Sequence, residues 1–145
     1  MNDWDDLYLE VILDHNKNPR NKNILEDYTH EAKGHNPLCG DHISIQIIME
    51  GDNVAEAKFT GSGCAISTAS ASILTETIKG KSRKEIELLF GNFHNLVTGN
   101  ESKKDLGKLS IFGGVQKYPA RVKCATLSWH ALMAAIEGKK ETSTE

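Results

Sequence analysis

Apolar and polar positions alternate strictly in two adjacent stretches of the chain. Between Asp41 and Glu50, Ile43, Ile45 and Ile47 recur at every second place. After the turn Gly51-Asp52-Asn53, the alternation resumes from Val54 to Thr60, with Ala57 and Phe59 set against Glu56 and Lys58. A strand sends successive side chains to opposite faces. The pattern therefore predicts a β-hairpin with one face buried and one face wet. Tyr28 to His35 predicts a further short strand, and residues 17–27, rich in Asn and charge, predict a loop.

Elsewhere the period lengthens to that of a helix. Trp4, Leu7, Tyr8, Val11 and Ile12 fall on one helical face, with Asp3, Asp5 and Asp6 in the first turn, where the helix dipole favours negative charge. Asn16-Lys17-Asn18-Pro19 closes that helix. A second helix is expected from Ala65 to Lys79 with Gly80 as its stop. Its first turns are nearly all small (Ala65, Ser67, Thr68, Ala69, Ser70, Ala71, Ser72), which permits close packing. Ser82 and Glu85 have capping-box spacing ahead of Ile86, Leu88, Leu89 and Phe90, so a third helix runs from about Arg83 into the nineties. Gly99 to Lys104 is a polar loop. Residues 105–118 stay ambiguous, because Gly107, Gly113 and Gly114 interrupt the apolar positions. Pro119 suits the first turn of a last helix carrying Val122, Ala125, Trp129, Leu132, Met133 and Ile136. That helix ends near Gly138, and 139–145 is expected to be a polar tail. Strands and helices without internal repeats indicate one α+β domain spanning 1–138.

Composition narrows the function. The 145 residues are 39% hydrophobic with a net charge of −3. No run approaches the ~18 apolar residues of a membrane span. The acidic start, Met1-Asn2-Asp3-Trp4-Asp5-Asp6, lacks a signal peptide's basic and apolar regions, which predicts a cytosolic protein. The acidic balance, with no basic stripe, argues against a nucleic-acid partner. Three cysteines cannot all pair within the chain, and in a reducing compartment thiols used together point to metal or nucleophilic chemistry.

Those thiols are Cys39, Cys64 and Cys124. Cys39 and Asp41 lie two apart in Asn36-Pro37-Leu38-Cys39-Gly40-Asp41, where a loop turns into a strand, so both can face one point. Cys64 follows Gly61-Ser62-Gly63 at a helix N-terminus, and Cys124 follows Arg121 and Lys123 early in the last helix. Helix N-termini and neighbouring cations lower thiol pKa values. Three thiolates and a carboxylate make a tetrahedral zinc site or a small iron–sulfur cluster site. The spacing by itself leaves open separate buried structural cysteines and other thiol chemistry. The histidines are given bland roles: His42 points away from Asp41, His35 is a remote candidate ligand, and His94 and His130 lie at or near the surface. Trp129 is assigned to the core.

Three blocks add to this: NPLCGD at 36–41, GSGCAISTASAS at 61–72 and YPARVKCATLSWHAL at 118–132. Together, in order and with one cysteine each, they resemble the U-type iron–sulfur cluster assembly family, which includes IscU and the N-terminal part of NifU. The resemblance runs from the first helix to Gly138. It implies a small, mostly antiparallel three-stranded sheet with helices packed on one face, in agreement with the periodicities. Two departures from the IscU pattern indicate its SufU branch. The gap between Cys64 and Cys124 is longer, which places an insertion within 95–116, expected to be tolerated surface because added loop length costs little. Lys123 also stands where IscU-type chains carry His, and Tyr118 to Val122 does not match the LPPVK chaperone motif.

The resemblance implies zinc held by Cys39, Asp41, Cys64 and Cys124. It implies a sulfurtransferase that takes persulfide sulfur from a SufS-type cysteine desulfurase, with a downstream Suf cluster scaffold as recipient. Cys39 is the expected acceptor, since it sits on a Gly- and Pro-flanked loop while the other thiols are anchored on helices. Arg121 is assigned a partner-binding or charge-steadying role. The alternative is a scaffold on which a [2Fe–2S] cluster is assembled on the same ligands. Lys123 disfavours it, because Lys cannot replace His as a ligand at neutral pH. No membrane or nucleic-acid partner is expected.

Overall fold

The computed structural model describes residues 3–100 and 106–143, with side chains from residue 9 onward. In chain order the elements are α1 (Asp3–Lys17), β1 (His30–Asn36), β2 (Asp41–Glu50), β3 (Asn53–Ser62), α2 (Ala65–Ile78), α3 (Arg83–Val97), a 3₁₀ helix (Gly107–Lys117), α4 (Pro119–Ile136) and β4 (Glu141–Ser143).

The expected hairpin is β2–β3, antiparallel, with Ile45 opposite Phe59 and Ile47 opposite Ala57. Ile43, Ile45, Ile47, Ala57 and Phe59 are all buried, so the period-two reading named the core face correctly. β1 pairs antiparallel on the other side of β2. The sheet has four strands, in the order β3-β2-β1-β4, rather than the three expected. The fourth is Glu141–Ser143, inside the stretch read as a polar tail; it runs parallel to β1 beside Lys33 to His35.

The helices complete one core with the sheet. Ile43, Ile45 and Ile47 share it with Ala69, Ile73 and Leu74 of α2 and with Leu127, Ala131 and Leu132 of α4. Buried Ser70 donates through Oγ to the Ala125 carbonyl at 2.6 Å, which ties α2 to α4 where small side chains let them approach. α3 begins with the expected capping box: Ser82 Oγ accepts from Glu85 N–H, and Glu85 Oε1 accepts from Ser82 N–H. Trp129 is fully buried, stacked on Phe93 with ring centroids 5.1 Å apart.

The 95–116 segment departs from expectation. It is not tolerated surface: α3 continues to Val97, and Leu106, Leu109, Ile111, Phe112 and Val115 are buried. Phe112 meets Phe93 edge to face at 5.8 Å. Residues 101–104 of the expected polar loop and residue 105 lie outside the described residues, as do the side chains of Trp4, Leu7 and Tyr8. Of the expected α1 face, Ile12 is buried and Val11 is partly buried against the core. No described helix is long and apolar enough to cross a membrane.

Candidate metal centre

Strand register brings the ligand candidates together. Asn36, the last residue of β1, pairs with Asp41, the first of β2, and residues 37–40 form the turn between them. Gly40 takes φ +71° there, a left-handed conformation open to glycine at little cost. On the other side, His42 pairs with Ser62, so β3 ends level with the start of β2 and delivers Gly63 and Cys64 beside Asp41. α4 begins at Pro119 and carries Cys124 in its second turn.

Cys39 lies in the turn, half-buried between exposed Leu38 and Gly40. The Cys124 thiol donates to Cys39 Sγ at 3.3 Å. Cys39 Sγ, a carboxylate oxygen of Asp41 and Cys124 Sγ all lie within 4.8 Å of one another. Asp41 and Cys124 are fully buried.

Cys64 is the N-cap residue of α2. Its Sγ accepts from Ser67 N–H at 3.4 Å, which satisfies one of the donors left free at a helix start. Its own N–H donates to Asp41 Oδ1 at 2.8 Å. The Cys64 sulfur is not one of the three mutually close ligand atoms, but its titration is linked to that of Cys124. The neighbouring Cys124, with the Ser67 N–H, draws the Cys64 pKa down to about 6 against the opposing effect of burial. Cys124 is driven upward by the neighbouring Cys64, by burial, which disfavours its charge, and by Cys39.

Arg121 stands exposed one turn before Cys124. Its guanidinium lies near the thiols, and Cys124 first, then Cys64, raise its already high pKa. Lys123 is exposed beside the buried Cys124. His35 does not join the ligands; it stacks on His42 across the strands, ring centroids 4.3 Å apart. His42 is exposed and His130 is half-buried.

The donor set fits zinc: soft sulfurs and one hard oxygen within 4.8 Å, spacing that ligands at ~2.0–2.3 Å from one ion can meet after small adjustments. Cys64 stands beside this set, with its backbone N–H on Asp41 Oδ1.

Two residues that sequence reasoning did not assign shape the site. Asn36 Nδ2 donates to Asp41 Oδ2 at 3.2 Å and to Cys124 Sγ at 3.6 Å. A Cβ on Gly63 would stand 2.7 Å from Asp41 Oδ1, so the carboxylate occupies the space that a side chain would need. Both residues sit inside the quoted motifs, and that position was the only signal the sequence held for them.

This fold and site define a class: the chain belongs to the NifU-like N-terminal domain family, whose model matches residues 7–125. The resemblance drawn from the three blocks is thereby borne out. Among its relatives, the zinc-dependent sulfurtransferase SufU of Bacillus subtilis (strain 168) is 48% identical over 134 residues, covering 91% of this chain and 90% of that protein. The iron–sulfur cluster assembly scaffold protein IscU of Streptococcus pyogenes serotype M1 is 41% identical, covering 90% of this chain and 83% of that one. A crystal structure from Fervidobacterium islandicum AW-1, described as a cluster assembly scaffold for the SUF system, superposes with a TM-score of 0.85 at 34% identity, covering 90% of this chain and 97% of its own.

Proposed function

We propose that the chain is a zinc-dependent sulfurtransferase that accepts persulfide sulfur from a cysteine desulfurase for iron–sulfur cluster assembly. The observation that carries this reading is the convergence of Cys39, Asp41 and Cys124 within 4.8 Å, with Cys39 alone on a turn. The 48% identity to a relative named as a zinc-dependent sulfurtransferase supports it. Cys39, Asp41, Cys64 and Cys124 would hold the zinc. Bound zinc keeps thiol ligands deprotonated at neutral pH.

The transfer itself is a thiol–disulfide type exchange. The Cys39 thiolate attacks the outer sulfur of the donor persulfide. A new S–S bond forms at Cys39, the donor's S–S bond breaks, and the donor leaves as a thiolate. Cys39 then carries the persulfide, and no external oxidant is needed. Arg121, with its guanidinium against the thiols, steadies negative charge during the exchange. A SufS-type desulfurase as donor, a Suf scaffold as recipient and a cytosolic setting complete the proposal.

The test is to mix the purified protein with a cysteine desulfurase and cysteine, trap thiols by alkylation, and weigh the Cys39 peptide. One added sulfur on Cys39 is expected, and Cys39→Ala should fold yet accept none. Absence of persulfide and of any stimulated desulfurase turnover overturns the reading.

The scaffold alternative is favoured by the 41% identity to a protein named IscU. Colour separates the two. Anaerobic purification should yield a colourless zinc protein, whereas a brown protein with cluster absorbance and little zinc would establish the scaffold.

A further inference from the structure

Asp41 is held by both of its oxygens, and neither bond involves Cys39. Oδ1 accepts from the Cys64 backbone N–H at 2.8 Å, and Oδ2 accepts from Asn36 Nδ2 at 3.2 Å. The same Asn36 nitrogen reaches Cys124 Sγ at 3.6 Å, 88 residues further along the chain. Asn36 is fully buried at the end of β1, where register sets it opposite Asp41. The chemistry fixes the amide's orientation. Were the carbonyl oxygen turned toward Asp41 Oδ2, two acceptors would face each other at that distance. The N–H donors therefore point at a carboxylate and a sulfur, the charged forms that a metal ligand must adopt.

We propose that Asn36 is a positioning residue that keeps Asp41 and Cys124 assembled with Cys64 as a three-ligand half-site, independently of Cys39. The half-site holds the metal while Cys39 on its turn exchanges sulfur. Asn36 would touch neither the metal nor the arriving sulfur. It orients two ligands from strand and helix, and groups in that position commonly contribute 10–100-fold to metal affinity. The inference rests on reading the site as a metal centre, and wild-type zinc binding in the same titration tests that reading separately.

The experiment is a double-mutant cycle on the full chain, read as Zn²⁺ affinity by competition with a chromophoric chelator. Asn36→Ala is expected to weaken Zn²⁺ binding by about 10–100-fold. Combined with Asp41→Ala, the losses should fall well short of multiplying, because both changes dismantle one arrangement. Combined with Cys39→Ala, they should multiply. Co²⁺ in place of Zn²⁺ adds a spectroscopic readout: Asn36→Ala should alter the sulfur-to-metal charge-transfer bands even at saturating metal. Asn36→Ser, which fills more of the space and keeps a short donor, should fall between wild type and Asn36→Ala. Circular dichroism of the metal-free variants guards against a folding artefact. Affinity within about twofold of wild type for both Asn36 variants, or coupling to Cys39 rather than to Asp41, overturns the proposal. So does loss of folding in both variants while the metal-free wild type stays folded, since Asn36 would then be structural only.

Discussion

A single methyl group separates two glycines of this site by mechanism. At position 63 an added Cβ would lie 2.7 Å from Asp41 Oδ1 and 3.1 Å from its Cγ, with Asp41 already fixed by Cys64 N–H and Asn36. Gly63→Ala must therefore push out the carboxylate or shift the start of α2. At position 40 nothing lies within 4 Å, but φ is +71°, so Gly40→Ala meets only the backbone cost of the left-handed region, about 1–2 kcal/mol. Gly63→Ala is expected to cost a similar 1–3 kcal/mol as a clash, and to weaken Zn²⁺ binding as well. Urea unfolding of metal-free protein would measure the first quantity, and chelator competition the second. Comparable stability losses with the affinity loss confined to Gly63→Ala is the expected outcome. At this scale the candidate ligands were legible because Cys and Asp are chemically distinctive and sit in recognisable blocks. Asn36 and Gly63 were not, because an amide and an absent side chain gain their meaning only from what folding places against them.

Among elements, α1 is fastened to α2 by a buried imidazole. His15 Nδ1 lies 2.7 Å from Ser72 Oγ, and that oxygen also accepts the Arg20 N–H at 2.8 Å. The imidazole and the hydroxyl share this hydrogen bond in the direction the ring tautomer sets. Nε2 faces Glu76 at 3.8 Å, while Arg20 and Lys108 add positive charge and Asp14 negative charge nearby. Burial, first, and then Arg20 and Lys108 hold the pKa below its ordinary value. The unfolded chain takes up a proton as pH falls through about 6.5 while the folded chain resists it. His15 thus contributes stability that is present above about pH 6.5 and drains away as pH falls below it. The melting temperature of metal-free protein should drop between pH 7.5 and 5.5, and His15→Gln should flatten that drop. An unchanged slope would remove His15 as its source. Elements differed in how far the sequence announced them. β2, β3 and the capped α3 were plain from period and cap chemistry. The 3₁₀ helix was hidden by its glycines, although Leu106, Leu109, Phe112 and Val115 recur every third residue, the period of that helix. β4 carries no alternation in Glu-Thr-Ser; it exists because α4 returns the chain to the free edge of β1.

Across the whole molecule, the ligand candidates come from the β1–β2 turn, the start of β2, the N-terminus of α2 and the second turn of α4. Any ion that holds them binds the folded state alone, so it adds to stability by mass action. The core does not depend on it: an uninterrupted apolar cluster joins the sheet, α2, α3, the 3₁₀ helix and α4. Metal removal is therefore expected to lower the melting temperature without unfolding the protein at room temperature. Free zinc at a hundredfold excess over its dissociation constant stabilises by about 2.7 kcal/mol. For a chain of this size that is on the order of 5–10 °C. Variants sort this contribution by ligand. A strong chelator should produce the full drop in wild type and a smaller one in Cys39→Ala, which keeps the half-site of Asp41, Cys64 and Cys124. It should produce almost none in Asp41→Ala, where the residue bonded to both Cys64 and Asn36 is lost. Scanning calorimetry with and without chelator measures all three. A purely structural zinc domain would give the opposite pattern, with wild type unfolding on chelation and Cys39→Ala failing to fold at all. The graded pattern would instead mark Cys39 as the ligand that can leave while the rest of the site stays in place.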